Sequence, residues 1–260
     1  MSLIETHAAN GVMYIALADE PRRNALSRDM LSELFDTIDE VERRDDVRVA
    51  LVTNRGNVFC AGANLAELSD PEGASGGRTF ELSELFQRIR HSPKPFVGRL
   101  AGHCIAGGVG LAAVMDISIA IDSAMFGFTE VRVGVAPAMI SVVCLAKMRL
   151  ADAQSAFLRG NRFSASEAAR MGLITAASSA ERLDDTVTEV LNDLLAGSPV
   201  AIAAAKRLTT VVPTLSTDEA FEWTSQLSRD LFAGDEASEG MSAFLEKRPA
   251  RWVAKISGLD

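Results

Sequence analysis

Three stretches of this chain combine residue types suited to chemistry at a carbonyl group. Phe59-Cys60-Ala61-Gly62-Ala63-Asn64 and the longer run from Ala101 to Ala113, which contains Ala106-Gly107-Gly108-Val109-Gly110, are Gly/Ala-rich turns. Each follows an apolar run and opens onto a helix-prone segment. Glycine lets backbone N–H groups approach a ligand with no Cβ in the way, and a helix N-terminus adds positive potential. Two such turns meeting in space would supply two amide donors to a carbonyl oxygen that gains negative charge during reaction.

The third stretch is Phe126-Gly127-Phe128-Thr129-Glu130-Val131. A carboxylate among apolar residues is unfavourable unless it has a partner or a role. Desolvation would raise its pKa toward the range useful for general acid–base catalysis. The plainer readings are a surface glutamate or an ion pair with Arg132.

Other candidates are weaker. Gly108-Val109-Gly110-Leu111-Ala112-Ala113 satisfies G-x-G-x-x-A, but it lies mid-chain and outside any βαβ unit, so it does not read as a dinucleotide site. His103 has no partner at triad or metal-ligand spacing and reads as a structural histidine. Cys104 reads as packing. No G-x-S-x-G elbow occurs.

The elements that position these residues follow from periodicity. Val12–Leu17, Val47–Thr53, Phe96–Leu100, Ile117–Ile121 and a segment around Met125–Phe128 read as strands. Ser27 is a candidate N-cap for a helix with Leu31, Leu34, Phe35, Ile38 and Val41 on one face. Further helices are expected through Leu82, Leu85, Phe86 and Ile89, from Gly108 to Met115, and from the Gly134/Pro137 turn to about Leu150. Ser164-Ala165-Ser166-Glu167 reads as a capping box for a helix that Gly172 stops. A last strand is expected at Leu173–Ala176, then a helix from about Arg182 to Leu195. Asp70 to Gly77 is the clearest loop, either a lid or a plain surface loop. Ser198-Pro199 and the Ser216–Glu219 box open a strand-free remainder. The expectation is an α/β fold of repeated β–β–α units over 1–197 and a helical segment over 198–260.

Composition bounds the function. The 260 residues are 48% hydrophobic, enough for a large core, and carry a net charge of −9. With a pI near 5.0, a nucleic-acid surface is disfavoured. Three cysteines without CxxC spacing suit a reducing compartment. No leader and no apolar run of membrane-spanning length is evident, so a cytoplasmic protein with no membrane partner is expected.

Taken in order, these motifs resemble the enoyl-CoA hydratase/isomerase (crotonase) superfamily. The resemblance runs through Pro21 to Leu26, Phe59 to Leu65, Lys94-Pro95 to Gly108, Asp116, Phe126 to Glu130 with Gly134 and Pro137, Ser164 to Leu173, and Glu239 to Arg248. It implies a spiral of β–β–α units with a helical C-terminal trimerisation region, assembled as trimers or hexamers, and acyl-CoA substrates. It implies that the thioester oxygen accepts from the N–H groups of Ala61 and Gly107, that Arg22, Ala25, Gly62, Asn64 and Leu65 contact CoA, and that Phe244 and Lys247 reach a neighbouring subunit's CoA site. No metal and no separate cofactor is implied, coenzyme A being part of the substrate.

One departure stands out. Two-glutamate hydratases carry a second acid where this chain has Gly110, so Glu130 alone remains. One carboxylate is compatible with hydration, Gly110 leaving room for a bulkier or branched acyl group as in methylglutaconyl-type hydratases. It is also compatible with proton transfer between C2 and C4, as in Δ3,Δ2-enoyl-CoA isomerases. Dienoyl-CoA isomerases want acids at both Gly110 and Ala138 and are excluded. A non-catalytic acyl-CoA-binding homologue is the third reading.

Overall fold

The computed structural model describes residues 2–64, 67 and 81–259. The Asp70–Gly77 loop and Leu65 lie outside the described residues. The chain opens with β1 (Ile4–Ala9) and β2 (Val12–Leu17), an antiparallel hairpin. Its two-residue turn, Asn10-Gly11, takes positive φ at both positions, matching the twist of the flanking strands. Ser27 accepts a hydrogen bond from the Met30 N–H at 3.2 Å and caps α1 (Arg28–Arg43), whose expected apolar face is buried. Then come β3 (Val49–Asn54), β4 (Val58–Cys60), α2 (Leu82–His91), β5 (Phe96–Leu100), β6 (His103–Ile105), α3 (Gly107–Val114), β7 (Ile117–Ile121) and β8 (Met125–Gly127). They are followed by α4 (Ala138–Leu145), α5 (Leu150–Arg159), β9 (Arg162–Ser164), α6 (Ala165–Arg170), β10 (Ala176–Ser178) and α7 (Leu183–Ala196).

The β–β–α rhythm has a clear spatial meaning. In the pairs β3/β4, β5/β6 and β7/β8 the first strand joins a six-stranded sheet in the order β1-β2-β3-β5-β7-β10, parallel apart from β1. The second, shorter strand joins a four-stranded sheet in the order β4-β6-β8-β9, with β4, β6 and β8 parallel. Alternation sorts the large sheet's side chains. Met13, Ile15, Ala50 and Val52 face one core shared with α1, α2 and α3. Val12, Tyr14, Val49 and Leu51 face a second core against Leu183, Val187, Leu191 and Leu195 of α7. Strands buried on both faces read as continuous apolar runs, which is why they were legible.

Some boundaries differ from expectation. The apolar Leu173-Ile174 pair is not a strand: the Leu173 N–H donates to Ala168 O at 3.0 Å and Gly172 takes φ 83°, closing α6. The strand begins only at Ala176. The helix after Pro137 ends at Leu145, and Arg149, in extended conformation, starts a separate helix, α5. The short strands β4, β6 and β9 hold too few residues to show a period, and β1 is an edge strand with a single buried side chain, Ile4.

Beyond residue 198 the described chain holds helices and no strand, α8 (Pro199–Val211), α9 (Thr217–Phe232) and α10 (Asp235–Glu246), and residues 247–259 are irregular. The Ser198 cap and the Ser216–Glu219 capping box form as expected. This segment has no separate core. Lys206 of α8 is buried and donates to Asp116 Oδ2 (2.8 Å), Ile89 O (2.8 Å) and Lys94 O (3.1 Å). Arg48 donates to carbonyls of Leu195, Gly197 and Trp252, and Ile256 returns to the α7 side of the large sheet.

Candidate active site

The three chemically interesting stretches leave the carboxyl ends of three adjacent parallel strands. β4 runs into Ala61–Asn64, β6 into Ala106–Gly107, and β8 into Phe128–Glu130. Cα pairing of Cys60 with Cys104 and of Ile105 with Gly127 fixes their mutual register. The crevice beyond the carboxyl ends of parallel strands is where α/β folds bind ligands.

The two glycine turns touch. Cβ atoms have little or no room here: one added at Gly62, which has φ 90°, would lie 2.8 Å from the Gly107 nitrogen. One at Gly107 would lie 3.2 Å from Gly62 Cα and 3.4 Å from the Ala63 nitrogen. At Gly108 a Cβ would lie 2.7 Å from the Cys60 carbonyl carbon. Gly107 is the first residue of α3, so its N–H has no partner within the helix.

The second free amide is not the expected one. The Ala61 N–H donates to Arg23 O at 3.1 Å and is therefore unavailable to a ligand. The cause lies in the preceding turn, where Arg23 and Asn24 both take positive φ. Buried Asn24 fastens that turn through Nδ2 to Val58 O (2.8 Å) and Arg55 O (3.2 Å). The amide left over is that of Ala63. Gly62 O accepts from the Leu26 N–H at 2.8 Å. A trans peptide points its N–H opposite to its C=O, so the Ala63 N–H faces away from Leu26, and it makes no hydrogen bond among the described residues. The positive-φ glycine just before Ala63 is the sequence signal that marks this position.

Glu130 begins a 3-10 turn, Glu130–Val133, that Gly134 closes at φ 85°. Its Oε2 is buried with no hydrogen-bond partner, and among the described residues it has no ion pair. Arg132, the expected alternative partner, instead donates from Nε to Gly160 O at 2.7 Å. That oxygen ends α5, where a cation complements the helix dipole. With the guanidinium held elsewhere, burial pushes the Glu130 carboxyl above its ordinary value. Its charge in turn helps raise the Cys144 thiol on α4, after the larger effect of burial.

Gly110 does not open a space. A Cβ there would lie 2.8 Å from Ile140 Cβ and 2.9 Å from Phe86 Cζ. Ile140 is buried at the start of α4 and Phe86 is buried on α2. The expectation of room for a bulkier acyl group beside Gly110 is therefore withdrawn: side chains from two other helices fill it.

The remaining candidates divide. Ala25 is buried beside the first turn, where Leu26 forms a parallel bridge with Ala63. Asn64 donates from Nδ2 to Glu67 at 3.0 Å. Arg22 is exposed and 3.4 Å from Asp19. Phe244 (84% exposed) and Lys247, at the end of α10, make no hydrogen bond or ion pair with the three turns among the described residues. His103 is structural as expected, its Nδ1 accepting from the Met125 N–H at 3.0 Å. Cys60 and Cys104 are buried free thiols, Cys60 pushed up to about 12 by burial. A recess of about 720 Å³ lies away from this chemistry, among the C-terminal helices beside Leu227, Leu231, Phe232 and Trp252.

Residues 7–255 match the family model described as enoyl-CoA hydratase/isomerase. The chain is 31% identical over 231 residues to enoyl-CoA hydratase EchA19 of Mycobacterium tuberculosis, covering 87% of each chain. It is 28% identical over 243 residues to the short-chain-enoyl-CoA hydratase of Clostridium acetobutylicum, covering 92% of this chain and 93% of that one. Among solved structures it resembles Pseudomonas aeruginosa AtuE, with a TM-score of 0.89, 28% identity and coverage of 96% and 99%.

Proposed function

The chain belongs to the enoyl-CoA hydratase/isomerase family, and from that premise we propose that it is an enoyl-CoA hydratase with one acid–base group. The observation that carries this reading is the buried, unpartnered Oε2 of Glu130, which follows β8 in the sheet where β6 leads to the Gly107 amide and β4 to the Ala63 amide, both unpaired among the described residues.

In this mechanism the thioester oxygen of a 2-enoyl-CoA accepts from the Ala63 and Gly107 N–H groups. Glu130, ionised, takes a proton from water as the water oxygen bonds to C3, and the C2–C3 π electrons move toward the thioester to give an enolate. The two amides stabilise that charge, and losing one such donor typically costs ~3–4 kcal/mol. Glu130 then returns its proton to C2 and is regenerated. A single carboxylate works from one face, so H and OH add to the same face. Arg22, Ala25, Gly62, Asn64 and Leu65 are proposed CoA contacts. Phe244 and Lys247 are proposed to serve a neighbouring copy in a trimer or hexamer. Exposed Phe221, Phe232, Phe244 and Leu245 on the C-terminal helices support association.

The second reading, Δ3,Δ2-enoyl-CoA isomerisation, is favoured by one observation: Ile140 and Phe86 occupy the space beside Gly110, and a proton shift needs no held water. Parallel assays separate the two. Hydration of crotonyl-CoA or 3-methylglutaconyl-CoA exceeding isomerisation of 3-hexenoyl-CoA supports the hydratase; the reverse order replaces it with the isomerase. Full activity of Glu130→Gln in the responding assay would remove Glu130 from both.

A further inference from the structure

Ala106 takes φ 50° and ψ −121°, a conformation that glycine adopts easily and that a residue with a Cβ holds only when its surroundings force it. Two fixed peptides impose it. On one side the Ala106 N–H donates to Gly127 O at 2.9 Å, extending the β6–β8 ladder. On the other its C=O accepts from the Val109 N–H at 2.8 Å, opening the first turn of α3. The residue between must turn from strand to helix within one pair of torsions.

That turn aims an amide. The Ala106–Gly107 peptide is trans, so its N–H points opposite to a C=O committed to the helix. The Gly107 N–H therefore points out of the helix start, and its nitrogen lies 2.8 Å from where a Cβ on Gly62 would stand. A Cβ added at Gly62 would lie 3.0 Å from the Ala106 methyl, which therefore stands beside the neighbouring turn.

We propose that Ala106 is a positioning residue whose strained backbone and methyl group hold the Gly107 N–H in the orientation a developing oxyanion requires. This rests on the acyl-CoA reading of the site. A glycine at 106 meets the same torsions without strain, but it removes the methyl and frees the following peptide to rotate. Stability and catalysis then move in opposite directions, whereas a merely structural residue would move them together.

The test uses Ala106→Gly in the full-length protein, with acetoacetyl-CoA as an enolate-forming probe read by near-ultraviolet absorbance and butyryl-CoA as the non-ionising control. The expected result is a Tm raised by ~2–4 °C and a kcat reduced about tenfold with KM held within about twofold. Acetoacetyl-CoA should bind about tenfold more weakly, with butyryl-CoA changed less than about twofold. An unchanged kcat and enolate signal overturns the proposal, and so does a fall in both Tm and kcat. Failure of the unaltered protein to bind either thioester sinks the acyl-CoA reading itself and this inference with it. Loss of turnover in Glu130→Gln, with enolate binding affected only in Ala106→Gly, keeps the reading and separates the two roles.

Discussion

Lys206 and Glu130 are both ionisable groups taken partly out of water, and the protein treats them in opposite ways. Each of the three ammonium donors of Lys206 finds an oxygen, one of them from Asp116, whose Oδ2 also accepts from the Phe96 N–H at 2.7 Å. The pair joins α8, β5 and the end of α3 into one network. Glu130 has an oxygen without a partner, and its nearest cation in sequence, Arg132, is held by Gly160 O. Saturation marks where the molecule is tied together, and deficit marks where a ligand can complete it. The unpaired Ala63 and Gly107 amides belong with Glu130 in this respect.

The comparison can be broken by substitution. Glu130→Gln keeps the shape and removes the base, and steady-state turnover is expected to fall by ~10²–10⁴-fold with the fold intact. A comparable loss of stability would instead place Glu130 with the structural groups. Lys206→Met leaves Asp116 without its cation and should lower unfolding free energy by ~3 kcal/mol, measured by urea denaturation, while kcat of the folded fraction stays near the parent value. A selective loss of kcat would contradict the division. Gly110→Ala forces a methyl toward Ile140 and Phe86, with an expected cost of ~1–3 kcal/mol that should shrink when it is measured in an Ile140→Ala background, which lacks the Cγ2 methyl facing that position.

The smallest effect concerns pH. Burial raises the folded-state pKa of Glu130 above the ordinary 4.5, so the folded protein holds that proton more readily than the unfolded chain. The stabilising contribution of the protonated form is complete below about 4.5 and is lost as pH rises through the raised folded value. Gln mimics the protonated state. Glu130→Gln should therefore have a slightly higher Tm than the parent at neutral pH, with the gap closing below about 4.5. A gap that widens on acidification would mean that the carboxylate has a stabilising partner.

Much of this was legible before any coordinates. The apolar runs at Val12–Leu17 and Phe96–Leu100, the caps at Ser27, Ser164, Ser198 and Ser216, and the isolated acid at Glu130 rest on neighbours in sequence. Ala61 and Gly110 were misjudged for a shared reason. Whether an amide is free depends on where Arg23 O lies, and whether a glycine leaves space depends on Ile140 and Phe86. None of these partners belongs to the segment it affects. β4, β6 and β9 escaped notice because three residues carry no period, yet β4 and β6 join the expected β8 in bringing the three turns to one edge.

Residue order alone is enough for the alternation of β–β–α units, the helices of the C-terminal segment, and the two glycine turns and single carboxylate available for chemistry. Local periodicity, capping and residue type are sufficient for these because each is decided within a turn or two of chain. That Ala63 rather than Ala61 offers its N–H, that Arg132 stays off Glu130, and that apolar side chains close the space at Gly110 all depend on the folded chain. Hydrogen-bond partners and packing volume are set by which distant segments meet, and the register of β4, β6 and β8 is what makes them meet.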